Sequence, residues 1–170
     1  IYDYKNRYKD LFFALSHGVN FGKLKKGKSD ERENFIGNLM QLFPNLKYNI
    51  LGISNELPKW NYNFYNELAK CKMSLNLSRG KPLKYTSSNR IAALVGNGIF
   101  TFIDINTKFN DFFDDNEVGF YKNVKDLGNK IEYLLKYPKK INEYGKRGKE
   151  KYFKLFNNKI ITKKIIEKTF

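Results

Sequence analysis

Cysteine and histidine are nearly missing from this chain of 170 residues: Cys71 and His17 stand alone. One thiol excludes an internal disulfide and a cysteine zinc cluster. It fits a reducing, cytoplasmic setting. One imidazole excludes a histidine-pair metal site, so any histidine catalysis would rest on His17. Acidic residues are few, 17 against 32 lysines and arginines, which leaves a formal net charge of +15. No apolar run approaches the roughly 18 residues needed to cross a bilayer. The fingerprint GxGxxG is absent too, which counts against a dinucleotide-dependent enzyme. No secretory signal, internal repeat or low-complexity linker is visible. The chain opens on Ile1 and soon enters a strand-like segment, which reads as a fragment preceded by further sequence.

What is present suits one folded domain. Apolar residues make up 41% and charged residues 29%, so a packed core rather than disorder is expected. A chain of this length buries about 70% of its unfolded surface. The positive charge invites a nucleic-acid partner. Lysine, however, far outnumbers arginine, and Asn, Ile, Phe and Tyr are abundant together. An AT-rich coding sequence produces that combination whatever the function. Lysine also lacks arginine's bidentate fork for phosphate. A broad, partly C-terminal positive field suits an anionic membrane surface better than a nucleic acid.

Short apolar runs alternate with amphipathic stretches. Leu11–Leu15, Tyr48–Ile53, Met73–Leu77 and Ile99–Ile103 read as strands, and Val118–Tyr121 as a short fifth. A capping box at Asp30 and Glu33 opens a helix whose stripe is Phe35, Ile36, Leu39, Met40 and Phe43, and Pro44 stops it. A second helix is expected from Asn61 to Lys70. A third, Ile91–Val95, closes on Gly96-Asn97-Gly98. Asn123 caps a fourth helix that Pro138 ends. Two more fill 139–156 and 159–169. This order predicts an α/β class with a doubly wound, mostly parallel sheet and C-terminal helices. Ligands of such sheets bind beyond the carboxyl ends of the strands.

One loop after a strand end stands out. Between Ser78 and Gly98 lie four cations, Arg79, Lys81, Lys84 and Arg90, around a possible helix start at Ser87 and Ser88. Unpaired N–H groups and the helix dipole favour an anion at such a start. The dipole contributes only roughly 0.3–1 kcal/mol at an exposed site, so the cations must carry tight binding. Arg90 and Lys84 are the leading candidates, then Arg79, with Ser87, Ser88 and Asn89 offering hydroxyl, amide and backbone donors. The bland alternative is a solvated basic loop with Ser88 as a plain cap. Gly18, with Val19 and Asn20, follows the first strand and would let backbone approach a ligand closely. The stretch Gly18–Gly27 is otherwise an ordinary strand-to-helix turn and is not read as a phosphate loop.

The order of strand, basic loop, Arg90-led helix, Gly-Asn-Gly, strand, then Asn116–Tyr121 before a leucine-rich helix resembles the C-terminal half of GT-B glycosyltransferases. It is similar to the spore-maturation-protein-like group, with Leu75-Asn76, Arg90 and Gly98 at the motif positions. The resemblance implies a donor-binding domain over residues 1–170, working with an acceptor domain that precedes Ile1. It implies a nucleotide-diphosphate sugar as donor, a glycan or lipid-linked acceptor, and neither metal nor other cofactor. Localisation would be cytoplasmic, at most peripheral to the inner membrane face, in a bacterial-type system. The catalytic base would come from the other domain, so this part would bind donor without turnover. One departure is plain: the glutamate expected after the arginine falls at Ala93.

Other candidates carry weaker signals. His17 sits at a strand end where it could touch a donor sugar, although a structural role is the simpler reading. Lys25, Lys26 and Lys28 read as a solvated charge run. Asp104 and Asn106 spell D-x-N, read as a capped turn because one acid is poor provision for a divalent cation. Trp60 and Tyr62 could stack on a base but are equally ordinary core or surface aromatics. The enzymatic rival is another nucleotide-using α/β protein such as a phosphotransferase. The non-enzymatic rival is a module for nucleic acid or an anionic membrane.

Overall fold

A computed structural model describes residues 6–16, 31–53, 56–86 and 88–169. The elements in chain order are β1 (Lys9–Ala14), α1 (Glu31–Leu42), β2 (Tyr48–Leu51), α2 (Asn61–Ala69), β3 (Cys71–Asn76), α3 (Asn89–Val95), β4 (Phe100–Asp104), β5 (Gly119–Tyr121), α4 (Val124–Leu135), α5 (Pro138–Phe156) and α6 (Asn158–Thr169). The sheet order is β2-β1-β3-β4-β5, and every pairing is parallel. The expected α/β class with C-terminal helices is the one observed. The order reverses between β1 and β3, so a crevice opens there at the carboxyl ends of the strands.

Both faces of the sheet are covered, which is why the strands read as nearly continuous apolar runs. Leu11, Phe13, Met73, Leu75, Phe100 and Phe102 pack on one face against Ile36 and Leu39 of α1 and Leu127 and Ile131 of α4. Phe12 points the other way, with Leu68 of α2 and Leu94 of α3. That inversion between neighbours is the period of two that a pleated strand imposes. A third cluster joins Ile91, Val95, Ile103, Phe113 and Phe120 near the β5 edge.

Local signals explain most boundaries. Asn123 caps α4 by accepting from the Asp126 N–H at 2.9 Å. α3 ends in a Schellman turn: Ile99 N–H donates to Leu94 O and Gly98 N–H to Val95 O, with Gly98 at φ +74°. The Tyr48 hydroxyl donates to the Leu39 and Phe43 carbonyls at the end of α1. Burial, with Glu132 and Asp10 nearby, pushes its pKa up to about 12, so it remains a donor. The Asp30 half of the expected capping box lies outside the described residues. Two 3-10 turns, Ile105–Thr107 and Phe109–Asp111, join β4 to β5. Asp104 caps the first of them, accepting from the Asn106 N–H and side-chain amide, which is the capped turn its D-x-N spelling suggested.

Glu67 anchors α2. Its carboxylate takes Lys59 at 2.8 Å, Lys70 at 3.0 Å and the Asn49 amide at 3.1 Å. Burial alone would raise its pKa, but the bonds from Lys59, Lys70 and Asn49 outweigh it and hold the group at about 2. A depressed carboxylate adds stability above its unfolded pKa and loses it as pH falls through the folded one. Both lysines are more than a third exposed, so water screens the pairs. Glu67→Gln is expected to lower stability by about 1 kcal/mol at pH 7. The gap should close as pH drops from 4.5 towards 2, the ordinary and folded values of this group. Urea titrations of both proteins across that window measure it; a gap independent of pH would refute the ion-pair account. Nearby, Cys71 is fully buried and burial pushes its thiol up to about 12, so it is an inert core residue.

Candidate functional site

In a parallel β-α-β unit the helix runs back against the strands, so helix starts lie at the carboxyl edge of the sheet. Two adjoining clefts open on that edge. The basic one, of about 280 Å³, is lined by Arg32, Asn76–Arg79, Lys81, Leu83, Thr86, Ser88 and Arg90. Four cations enter it from three segments: Arg32 in the first turn of α1, Arg79 and Lys81 on the loop after β3, and Arg90 in the first turn of α3. Among the described residues no carboxylate lines it.

Arg90 is positioned rather than loose. Its guanidinium donates to the Leu77 carbonyl at 3.0 Å and stands 5.4 Å from the centre of the Phe13 ring. Ser88 precedes α3 in extended conformation but makes no side-chain cap. Its hydroxyl instead donates to the buried Asn76 amide oxygen at 3.3 Å. The plain-cap alternative for Ser88 is therefore not what the structure shows. α3 has seven residues, about two turns, so its dipole is small and the side-chain cations dominate the field.

The second cleft, of about 400 Å³, is lined by the end of β1 (Ala14, Leu15, Ser16), by Pro58–Asn61, Phe64 and Tyr65, and by Ser88, Asn89, Arg90 and Ala93. Ser88 and Arg90 belong to both clefts and form the wall between them. Trp60, 53% exposed, offers a flat aromatic surface on this rim. Tyr62 is 76% exposed and lines neither cleft. Ala93 lines the second cleft, so no carboxylate projects there from the position where the family motif carries one.

The structure thus brings together Arg79, Ser88, Asn89 and Arg90. It does not bring in Lys84. The Lys84 ammonium lies 4.6 Å above the Tyr85 ring. Tyr85 has φ +59°, donates its N–H to Thr107 O at 2.8 Å and its hydroxyl to Asp111 at 2.6 Å. Those bonds tie the loop to the β4–β5 connection and carry Lys84 away, which corrects its pairing with Arg90. His17, Gly18, Asn20, the lysines 25, 26 and 28, and Ser87 lie outside the described residues. Arg32 went unnoticed in the sequence because it reads as one charge among many. The available signal was its place in the first turn of a helix following a parallel strand.

One correction concerns the segment before α1. The run from Gly22 to Ser29, Gly-Lys-Leu-Lys-Lys-Gly-Lys-Ser, satisfies the spelling GxxxxGK[ST]. A phosphate loop places that spelling directly between a strand end and a helix start. Here residues 15–21 intervene after β1, so the match is to the spelling and not to its usual context.

Among the described residues no group of three His, Cys, Asp or Glu side chains could hold a metal ion, and no helix is long and apolar enough to cross a membrane. A comparison with curated protein sequences finds no match. Solved structures do match. TarM superposes on 95% of this chain with a TM-score of 0.64 at 14% identity, over 35% of its own length. Sucrose-phosphate synthase from Thermosynechococcus elongatus gives 0.61 at 14% identity, over 95% of this chain and 45% of its own. Both are GT-B glycosyltransferases, and at such identity the likeness establishes the fold. The chain spans less than half the length of either. The sequence model described as glycosyl transferase-like matches residues 31–167, most of the chain, and the protein belongs to that family.

Proposed function

We propose that this domain captures a nucleotide-diphosphate sugar for transfer of the sugar to an acceptor. The observation that carries this reading is the convergence of Arg32, Arg79, Lys81 and Arg90 on one cleft at the carboxyl end of β3. The diphosphate occupies that cleft. The base and ribose occupy the adjoining one, with Trp60 as a stacking face and Asn61 and Asn89 as polar partners. As the sugar leaves, negative charge grows on the diphosphate, and fixed guanidinium groups there stabilise it without a metal ion. Arg90, held by Leu77 O, is the donor best preorganised for this. The acceptor and the catalytic base belong to a second domain that closes over the clefts. Both structural neighbours extend well beyond the part that this chain matches.

The phosphate-loop spelling at Gly22–Ser29 favours one rival, phosphoryl transfer from a nucleoside triphosphate. Calorimetric titration separates the two. Donor binding predicts saturable uptake of UDP, GDP or ADP with a preference among bases, no need for magnesium, and modest loss between low and moderate salt. A phosphate-loop enzyme predicts magnesium-dependent preference for the triphosphate. A non-specific polyanion binder predicts steep salt loss and no base preference. Either of the last two results, or no binding at all, overturns the donor reading.

A further inference from the structure

A cavity of about 330 Å³ opens at the starts of β4 and β5, on the amino edge of the sheet and away from both clefts. Its floor is aromatic. The buried rings of Phe100 and Phe102 meet edge to face at 5.3 Å, and the ring of Tyr144 from α5 stands 5.7 Å from that of Phe100. Gly119 lets Phe102 settle there, since a β-carbon at that position would stand 2.5 Å from its ring. Tyr133 of α4 is exposed at the mouth, and the Tyr137 ring, 5.2 Å from it, continues the aromatic surface outward. Asp115 and Asn116, both exposed, supply the rim. Among the described residues, no hydrogen bond or ion pair engages either of these two side chains or the hydroxyls of Tyr133 and Tyr144. Lys130 lines the cavity too, but its ammonium is committed to Phe120 O at 2.6 Å and Asp126 at 3.2 Å.

We propose that this cavity binds one neutral sugar unit of a glycan. A pyranose presents a face of C–H bonds and a rim of hydroxyls. Aromatic faces carry negative charge density that attracts polarised C–H groups. The free carboxylate, amide and phenols can donate to or accept from the hydroxyls. The volume lies at the small end of ligand sites, which suits one ring and not a nucleotide. Other occupants fit less well. A cation would meet the Lys130 ammonium inside the cavity. An anion would meet Asp115 and find no uncommitted cation there. A wholly apolar molecule would strip water from Asp115 and Asn116 and return no hydrogen bond. The five residues of β4 span roughly 16 Å, so a sugar held here lies far from the diphosphate cleft and belongs to a part of the glycan that does not react. The second domain closes over the opposite edge, which leaves this one open to such a chain. That role rests on the donor reading, whereas the binding itself does not.

Amide NMR of the isotope-labelled chain tests it, with the methyl glycosides of glucose, galactose and N-acetylglucosamine as probes. At least one is expected to bind with a Kd of roughly 1–10 mM. It should shift the amides of residues 115–120 and 130–134 and leave those of Asn61 and Asn89 in place. Tyr133→Ala is expected to weaken that binding about fivefold, and Asp115→Ala/Asn116→Ala about tenfold. All three side chains are exposed, so an unchanged Tm shows that the fold is kept. Absence of shifts with every probe would overturn the proposal, as would shifts confined to the two donor clefts or an affinity that neither variant alters. Tighter binding of choline would reveal a cation cage, and equal binding of cyclohexanol a merely apolar pocket; either result also overturns it. Failure of nucleoside-diphosphate binding would remove the donor reading alone and leave this site standing.

Discussion

Replacing Arg79, Lys81 and Arg90 together by alanine is expected to weaken nucleoside-diphosphate binding by about a hundredfold or more. Charge-assisted hydrogen bonds contribute roughly 1.5–3 kcal/mol each when well formed. Arg79 and Lys81 are exposed and Arg90 is half-buried, so about 1 kcal/mol apiece is the safer figure. Three such contacts amount to about 3 kcal/mol, or somewhat more than a hundredfold in Kd. Arg90 has a second job, since it bonds Leu77 O and covers Phe13. Melting temperatures of each variant must therefore accompany the titrations. Lys84→Ala is the internal control, expected to change Kd by less than about twofold, because its ammonium lies over Tyr85 and outside both clefts. If Lys84→Ala proved as damaging as Arg90→Ala, a general positive field would explain binding and the cleft would not.

Gly145→Val is expected to destabilise the domain by about 3–5 kcal/mol, a large share of the roughly 5–15 kcal/mol typical of a whole protein. α5 lies directly against backbone. A β-carbon at Gly145 would overlap the Gly98 carbonyl oxygen and stand 3.0 Å from the Phe100 nitrogen. One turn on, a β-carbon at Gly148 would meet the Glu117 carbonyl oxygen. Backbone cannot swing aside as a side chain can, so the helix itself must move outward. That motion would strip Ile141 from the core and Tyr144 from Phe100, whose rings are 5.7 Å apart. A loss of about 10 °C or more in Tm is expected, read by thermal melting of Gly145→Val and the milder Gly145→Ala. A shift below about 1 kcal/mol would show that α5 has slack that these contacts deny it.

The strands were legible because burial on both faces leaves nearly continuous apolar runs, as in Ile99–Ile103, and because turn chemistry punctuates them, as at Gly98. The Asn123 cap was legible for the same reason, whereas Pro138, read as the stop of the helix before it, is the first residue of α5. Of the two 3-10 turns after β4, the first was legible in the Asp104 cap, and the second was not. It rests on Phe109, Phe112 and Phe113 packing towards Phe156 of a distant helix, which no local window contains. The basic loop declared itself through density of charge, yet density misassigned Lys84. Its direction depends on Tyr85 reaching Asp111, 26 residues away.

Sequence by itself therefore determined the kinds of element, the two-sided sheet and the neighbourhood of the site, because helix, strand and turn preferences act over a few residues. Tertiary structure alone decided which cations meet. Arg32 and Arg90 are far apart in the chain, and only the parallel sheet, by turning both helix starts to one edge, sets them around a single cleft.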